Sequence, residues 1–336
     1  MSLKLIAEKA NVSVTTVSRV INNHPYVKPN VASKVRLIIK EIGYENKPKW
    51  ENGLKTGYVG MLIINHGIEL LKTPITADLI TAIDKELGKN NLQMAFQVID
   101  KNDPLPIHVN NNRMDGAFLL GMPTNQHIKQ LSNLHSIVLN SFRDVGLPLW
   151  SDTVSIDYEE RGRLAALYLL KKGHVKVAYI NPLPKHLGSK MSLNGFTGTL
   201  EHFNIPLHVF SEGIENEYVI WDALTGQKII EKIVDKVLKL PAKEFPTGIY
   251  VCMDEVTVGV YKALKERGII PGKDIEIISN NNELAHLSKL DPKPASIDNN
   301  LGLIAKKAVE HLLYRIKNPG EPKGYRILVP PKIVTY

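Results

Sequence analysis

From Leu3 to Ile42 the apolar residues recur at intervals of three and four, the period of helices with one buried face. Leu3, Ile6, Ala7 and Ala10 predict a first helix, roughly Leu3 to Lys9, and Val14, Val17, Val20 and Ile21 a second. Val31, Val35, Ile38, Ile39 and Ile42 predict a third, from about Pro29 to Ile42. Ser13 suits an N-cap whose hydroxyl accepts from a free amide of the first turn. Pro29 suits an opening turn and Gly43 a stop. From Tyr58 the period changes. Short apolar runs at Tyr58–Ile64, Gln93–Ile99, Gly116–Gly121 and Ser136–Leu139 read as strands, with helical patterns at Thr76–Leu87 and Asn125–Leu134. A second set alternates in the same way: helix Glu159–Lys172, strand Lys176–Ile180, helix Leu193–Phe203, strand Leu207–Ser211, helix Gly226–Leu238, strand Gly248–Cys252, helix Glu255–Arg267 and strand Ile275–Ser279. Strand–helix alternation implies parallel doubly wound sheets. So many strands imply two lobes, with ligands expected at the carboxyl ends of the strands facing the cleft between them.

The polar face of the second helix changes the picture. Behind its apolar seam stand Thr15, Thr16, Ser18, Arg19 and Asn22, short donors and acceptors plus one fork-shaped cation, the chemistry of a helix that enters the major groove. Charge agrees. Residues 1–50 hold nine Lys/Arg against three acids, leaving 33 bases and 31 acids for the rest of a chain whose net charge is +8. A basic head on a near-neutral body is the footprint of a phosphate-binding module joined to something else.

The run Ala7–Ser13 (Ala-Glu-Lys-Ala-Asn-Val-Ser), followed by Thr16-Val-Ser-Arg-Val-Ile-Asn22, then Val27 and the Ile42-Gly-Tyr44 exit, resembles the headpiece of lac-repressor (LacI/GalR) family regulators. That resemblance implies a dimeric transcription regulator, most simply a repressor, on a near-palindromic double-stranded operator. Arg19 would reach a guanine edge or a phosphate, Thr15 and Val14 base edges, and Ser13, Thr16, Ser18 and Asn22 phosphates. In this family the segment after the headpiece forms a hinge helix whose leucine wedges into the minor groove, and Leu54 is the residue here that matches. The usual alanine- and arginine-rich sequence is missing, and Gly53 precedes the leucine.

The remainder resembles the family's body, built like type I periplasmic binding proteins. The matching pieces are Arg113-Met-Asp-Gly-Ala-Phe-Leu-Leu120, Ile156-Asp-Tyr-Glu-Glu-Arg-Gly-Arg-Leu-Ala165, Lys172-Gly-His174, Gly195-Phe196, and Asp254 through Gly259-Val-Tyr-Lys-Ala-Leu264. The implied architecture is a small all-α helix-turn-helix headpiece at 1–46, a hinge at 47–57, and an α/β core. Its first lobe would hold 58–158 and 297–327, its second 159–296 and 328–336. By the same resemblance, Trp221 would stack on a small effector. Asn281 takes the place of a family carboxylate, and Phe142, Arg161, Ser192, Asp254 and Asn299, with Asn65, His66 and Ile75 from the first lobe, match other cleft positions. Ser192 stands where many relatives carry an arginine, so Lys190 or Arg161 are the candidates to supply the missing donor. Losing an arginine and an acid removes strong charge-assisted contacts and leaves the effector open: a sugar or glycoside first, a purine or phosphorylated sugar behind.

Other classes find little support. There is no nucleophile elbow, no phosphate-cradling glycine loop and no dinucleotide fingerprint, and the histidines lack ligand-like pairing. The expectation is therefore no enzyme, no metal and no cofactor. Cys252 is the sole cysteine, expected as a buried strand residue. Lys185, His186 and His202 are expected on loop or helix surfaces. No leader-like or membrane-spanning apolar run is visible, which implies a cytoplasmic protein. The rivals are a solute-binding module with a non-functional headpiece and an enzyme using the same cleft.

Overall fold

A computed structural model describes residues 3–21, 26–42, 53–65, 70–100, 103, 105, 113–121, 123–139, 151–215 and 223–336. The chain divides into a headpiece unit, Met1–Glu51, and a core unit, Asn52–Tyr336.

In the headpiece, α1 (Leu3–Ala10), α2 (Val14–Ile21) and α3 (Pro29–Ile42) form where the apolar spacing places them. Ile6, Ala7, Ala10, Val17, Val20, Val35 and Ile38 make one buried cluster. Burying a Val or Ile side chain stabilises by about 1.5–3 kcal/mol, so this cluster dominates the stability of a unit with so little interior. Asn11 takes a left-handed φ of 54° in the turn between α1 and α2, a conformation asparagine tolerates. The Ser13 hydroxyl accepts from the Thr16 amide at 3.1 Å, capping α2 as its position predicts.

The core unit holds two six-stranded sheets. β1 (Tyr58–Ile64), β2 (Gln93–Ile99), β3 (Gly116–Gly121), β4 (His135–Leu139) and β5 (Asp152–Ile156) belong to the first. β6 (Val177–Asn181), β7 (Leu207–Ser211), β8 (Gly248–Val251), β9 (Glu276–Asn280) and β10 (Ala295–Asp298) belong to the second. β11 (Arg326–Val329) returns to the first sheet and β12 (Lys332–Val334) to the second. The orders are β11-β5-β4-β3-β1-β2 and β12-β10-β9-β8-β6-β7, every pairing parallel except β10 with β12. The central strands are buried over most of their length and the edge strands β2 and β7 are not, as helix-covered parallel sheets require. The second lobe's interior centres on Tyr179, Phe196 and Tyr250, whose ring centroids lie 4.9–6.3 Å apart.

Two expected crossing points shift. Ile297 lies inside β10, paired with Asn280 of the second sheet, and Leu328 lies inside β11, paired with Ser155 of the first. The chain therefore changes lobes just after these strands, at 299–300 and 330–331, because a strand cannot leave a sheet mid-ladder. The linker also ends earlier than 57. The Asp115 carboxylate accepts from the backbone amides of Lys55 at 2.6 Å, Thr56 at 3.1 Å and Gly57 at 2.6 Å, which ties this stretch to the first sheet. Cys252 follows β8 directly, is 2% exposed, and has its thiol pushed up to about 12 by burial.

Candidate functional site

On the headpiece, α2 sorts its residues by face. Val17 and Val20 are buried; Ser13, Val14, Thr15 and Arg19 are exposed; Thr16 and Ser18 are half-buried. The exposed row runs along one side of the helix, with Arg19 one turn beyond Thr15. Asn22, the last expected reading residue, lies outside the described residues. Leu54 falls in the core unit and is half-buried.

The second candidate site is assembled by two helices that almost touch. A Cβ on Gly162, in helix Tyr158–Lys171, would lie 1.8 Å from the Ser192 carbonyl oxygen. One on Gly195, in helix Leu187–His202, would lie 1.9 Å from the Glu159 carbonyl oxygen. Only hydrogen at both positions allows this approach, and it sets Arg161 against Ser192. The Arg161 guanidinium donates from Nε to Ser192 Oγ at 3.0 Å, from Nη1 to Asn299 Oδ1 at 3.4 Å and from Nη2 to the Gly188 carbonyl at 3.3 Å. Its face covers the Tyr158 ring at 4.9 Å. Asn299 in turn donates to Asn281 Oδ1 at 3.0 Å. Arg161, Ser192, Asn281 and Asn299 thus form one hydrogen-bonded set at the carboxyl ends of the second sheet.

The set sits on the lobe crossings. Arg161 is in the first turn after β5 hands the chain to the second lobe, and Asn299 is where β10 hands it back. The Asp157 amide donates to Val329 O at 3.1 Å, which brings the third crossing beside the first. Left-handed asparagines stand at strand ends in both sheets and at one crossing: Asn65 after β1, Asn281 and Asn282 after β9, and Asn300 before helix Leu301–Lys317.

Other expected residues fall elsewhere. Asp254 is fully buried and its carboxylate is already engaged, accepting from the Glu283 amide at 2.7 Å and the Ser296 hydroxyl at 2.8 Å. Burial lifts its pKa to about 6. Lys190 is exposed. Asn65 closes β1 and Ile75 opens helix Pro74–Lys89, both half-buried. His66, Phe142 and Trp221 lie outside the described residues. His186 corrects the surface reading: it N-caps helix Leu187–His202 by accepting from the Ser189 amide at 3.2 Å, and burial, then the Arg161 charge, lowers its pKa to about 4.

Three features were missed from sequence. Tyr158 sits under Arg161 at the three-residue spacing that stacks side chains on one helix face, a signal the sequence does carry. Glu283, one residue before helix Leu284–Leu287, is lifted to about 7 by burial and by the charges of Asp254, Glu255 and, from the first lobe, Asp78. Asp115 carries the clamp on residues 55–57. No group of three or more potential metal ligands occurs among the described residues.

Comparison with known proteins fits this geometry. Residues 166–335 match the periplasmic binding protein-like domain, just over half the chain. Residues 2–46 match the bacterial regulatory proteins of the lacI family. The chain belongs to the lacI family of regulators. Among curated relatives of the family, the catabolite control protein A of Priestia megaterium is 28% identical over 82% of this chain and 81% of its own. The ribose operon repressor of Haemophilus influenzae is 26% identical over 98% and 95%. Among solved structures, the lac repressor bound to ONPG in the repressed state superposes with a TM-score of 0.70 at 20% identity, covering 100% of this chain and 98% of that one. A cellobiose complex of a transcriptional regulator superposes at 0.64 with 18% identity over 100% and 98%. Among the described residues no helix is long and apolar enough to cross a membrane.

Proposed function

We propose that this chain is a transcriptional repressor that binds a near-palindromic operator as a homodimer and releases or tightens its grip when a small sugar-type effector occupies the cleft of its core. The observation that carries the reading is the exposed row Ser13–Val14–Thr15–Arg19 on a self-contained, basic three-helix unit. One such unit is too small for specific affinity, so two half-sites related by a dimer axis are expected. Relatives whose names specify a ribose operon repressor and a catabolite control protein support the regulatory role, and neighbours solved with cellobiose and ribose support a sugar-type ligand.

In this reading Arg19 reaches a guanine edge or a phosphate, Thr15 and Val14 reach base edges, and Ser13, Thr16, Ser18 and Asn22 hold phosphates. Leu54, half-buried in the core unit here, would leave that place to enter the minor groove. The effector lies among Asn65, His66, Ile75, Phe142, Arg161, Ser192, Trp221, Asn281 and Asn299. The protein performs no chemistry on its ligand and acts in the cytoplasm.

The test is fluorescence anisotropy on the DNA upstream of the chain's own gene. Arg19→Ala is expected to weaken specific binding ten-fold or more, consistent with ~1–3 kcal/mol for a good base contact, with the melting temperature of the core unchanged. Equal binding by Arg19→Ala and the wild type would overturn the headpiece assignment.

A further inference from the structure

Arg161 and Arg315 are equally hidden, 3% and 4% exposed, but they are neutralised differently. Arg315 faces the Asp152 carboxylate with Nε and Nη2, and donates from Nη1 to the Glu321 carbonyl and from Nη2 to the Pro322 carbonyl. Among the described residues Arg161 has only neutral partners: a serine hydroxyl, an asparagine oxygen, a backbone carbonyl and the face of a tyrosine. Among the described residues no carboxylate forms an ion pair with it. A guanidinium carries five N–H donors, and these contacts use three of them.

A buried cation without a counter-charge is expensive, and a fold keeps one where a partner is meant to arrive. The surroundings reinforce this. Asn299, which accepts from the guanidinium, is an amide at a place where an aspartate of almost the same size would neutralise the charge, and its own partner Asn281 is an amide too. The positive field goes unquenched: it favours the ionised forms of Tyr158, Tyr250 and Cys252 against burial, and it opposes protonation of His186.

We infer that the effector is an anion, a sugar bearing a carboxylate or a phosphate group, and that this group is the counter-ion of Arg161. The inference rests on reading these strand ends as the effector site. A planar fork with two N–H groups to spare suits an oxyanion that accepts two parallel hydrogen bonds. Because Arg161 and Asn299 stand on neighbouring lobe crossings, an anion bound there would act on the segments about which the lobes turn.

The experiment uses the full chain without DNA. Thermal shift and calorimetry would compare D-glucuronate, D-gluconate, D-glucose 6-phosphate, uncharged D-glucose and, as the minimal probe, inorganic phosphate. At least one anion is expected to bind ten-fold or more tightly than glucose, and the carboxylate and phosphate arms identify which group is taken. Arg161→Gln should weaken that anion at least thirty-fold. If Arg161→Gln does not fold, Arg161→Lys, which keeps the charge and loses the fork, should weaken it at least ten-fold.

Glucose binding as tightly as the anions, no stabilisation by any of the four anions, or unchanged anion affinity in the variant would each overturn the proposal. DNA is absent from these assays. A headpiece that fails to bind an operator would leave the anion result standing, and an operator-binding protein indifferent to anions would contradict this inference alone.

Discussion

Individual side chains show how the core unit handles buried charge. Asp152 is 4% exposed and accepts from Arg315, from His311 at 3.1 Å, and from the amides of Gly324 and Tyr325 at 2.7 and 2.9 Å. Burial alone would raise its pKa, but these hydrogen bonds hold it well below the usual carboxylate range. The stability it supplies is present above about pH 4 and is lost as pH falls below that. Asp152→Ala leaves Arg315 buried without its partner and should cost about 3–5 kcal/mol, read from urea unfolding of the core. Asp254 and Glu283 run the other way. Their pKa values rise from ordinary carboxylate positions to about 6 and about 7, so between pH 4 and 7 the fold holds protons that the unfolded chain has released. Their contribution is full below about pH 4 and is lost as pH climbs through 6 to 7. A histidine whose pKa is lowered, such as His186, has the opposite slope, so the clean observable is a difference. Glu283→Gln is expected to gain stability relative to wild type as pH goes from 5 to 8. A constant gap would contradict the placement of Glu283 among Asp254, Glu255 and Asp78.

At the scale of elements, the hydrogen-bonded set of Arg161, Ser192, Asn281 and Asn299 depends on the contact between helices Tyr158–Lys171 and Leu187–His202. Gly162→Ala or Gly195→Ala drives a methyl into a backbone carbonyl, which cannot move aside as a side-chain tip can. Either change should cost about 1–3 kcal/mol or more and part Arg161 from Ser192. An unchanged unfolding midpoint would show that the helices do not meet as described. This scale is also where the sequence was most and least readable. The third headpiece helix, β1, β2 and β3 fall at their expected bounds, because their periodicity is strong and capped by turn residues. Gly195 was read as part of a motif, but its reason, the carbonyl of Glu159, is visible only once the helices are packed. The pairing of Arg161 with Ser192 joins positions 31 apart, and that of Arg161 with Asn299 joins positions 138 apart. Periodicity reports a residue's own face and says nothing of such partners. Asp254 matched a cleft motif, yet its contacts bind β10 and the turn after β9.

For the molecule as a whole, the proposed effector site and the proposed DNA-reading helix have to be coupled through the chain between them. The core's nearest tie to the headpiece in sequence is the stretch 53–57, and Asp115 fixes it to the first sheet by three backbone amides and the Thr56 hydroxyl. Lobe rotation that moves the first sheet therefore moves this stretch with it. Asp115→Ala should leave effector affinity within about two-fold while reducing the effector's influence on operator affinity several-fold, since removing the clamp affects coupling between sites rather than either site. Effector binding by calorimetry and operator binding by anisotropy, measured on the same variant, separate the two.

A DNA-shift titration of the full chain on its upstream region, repeated across neutral sugars, sugar acids, sugar phosphates and purines, probes both proposed sites at once. Specific, salt-sensitive binding is expected, changed ten-fold or more by one sugar-type compound, with the change lost in Arg161→Gln and the binding itself lost in Arg19→Ala. Specific binding that no compound alters, or no specific binding at low salt, would contradict this expectation.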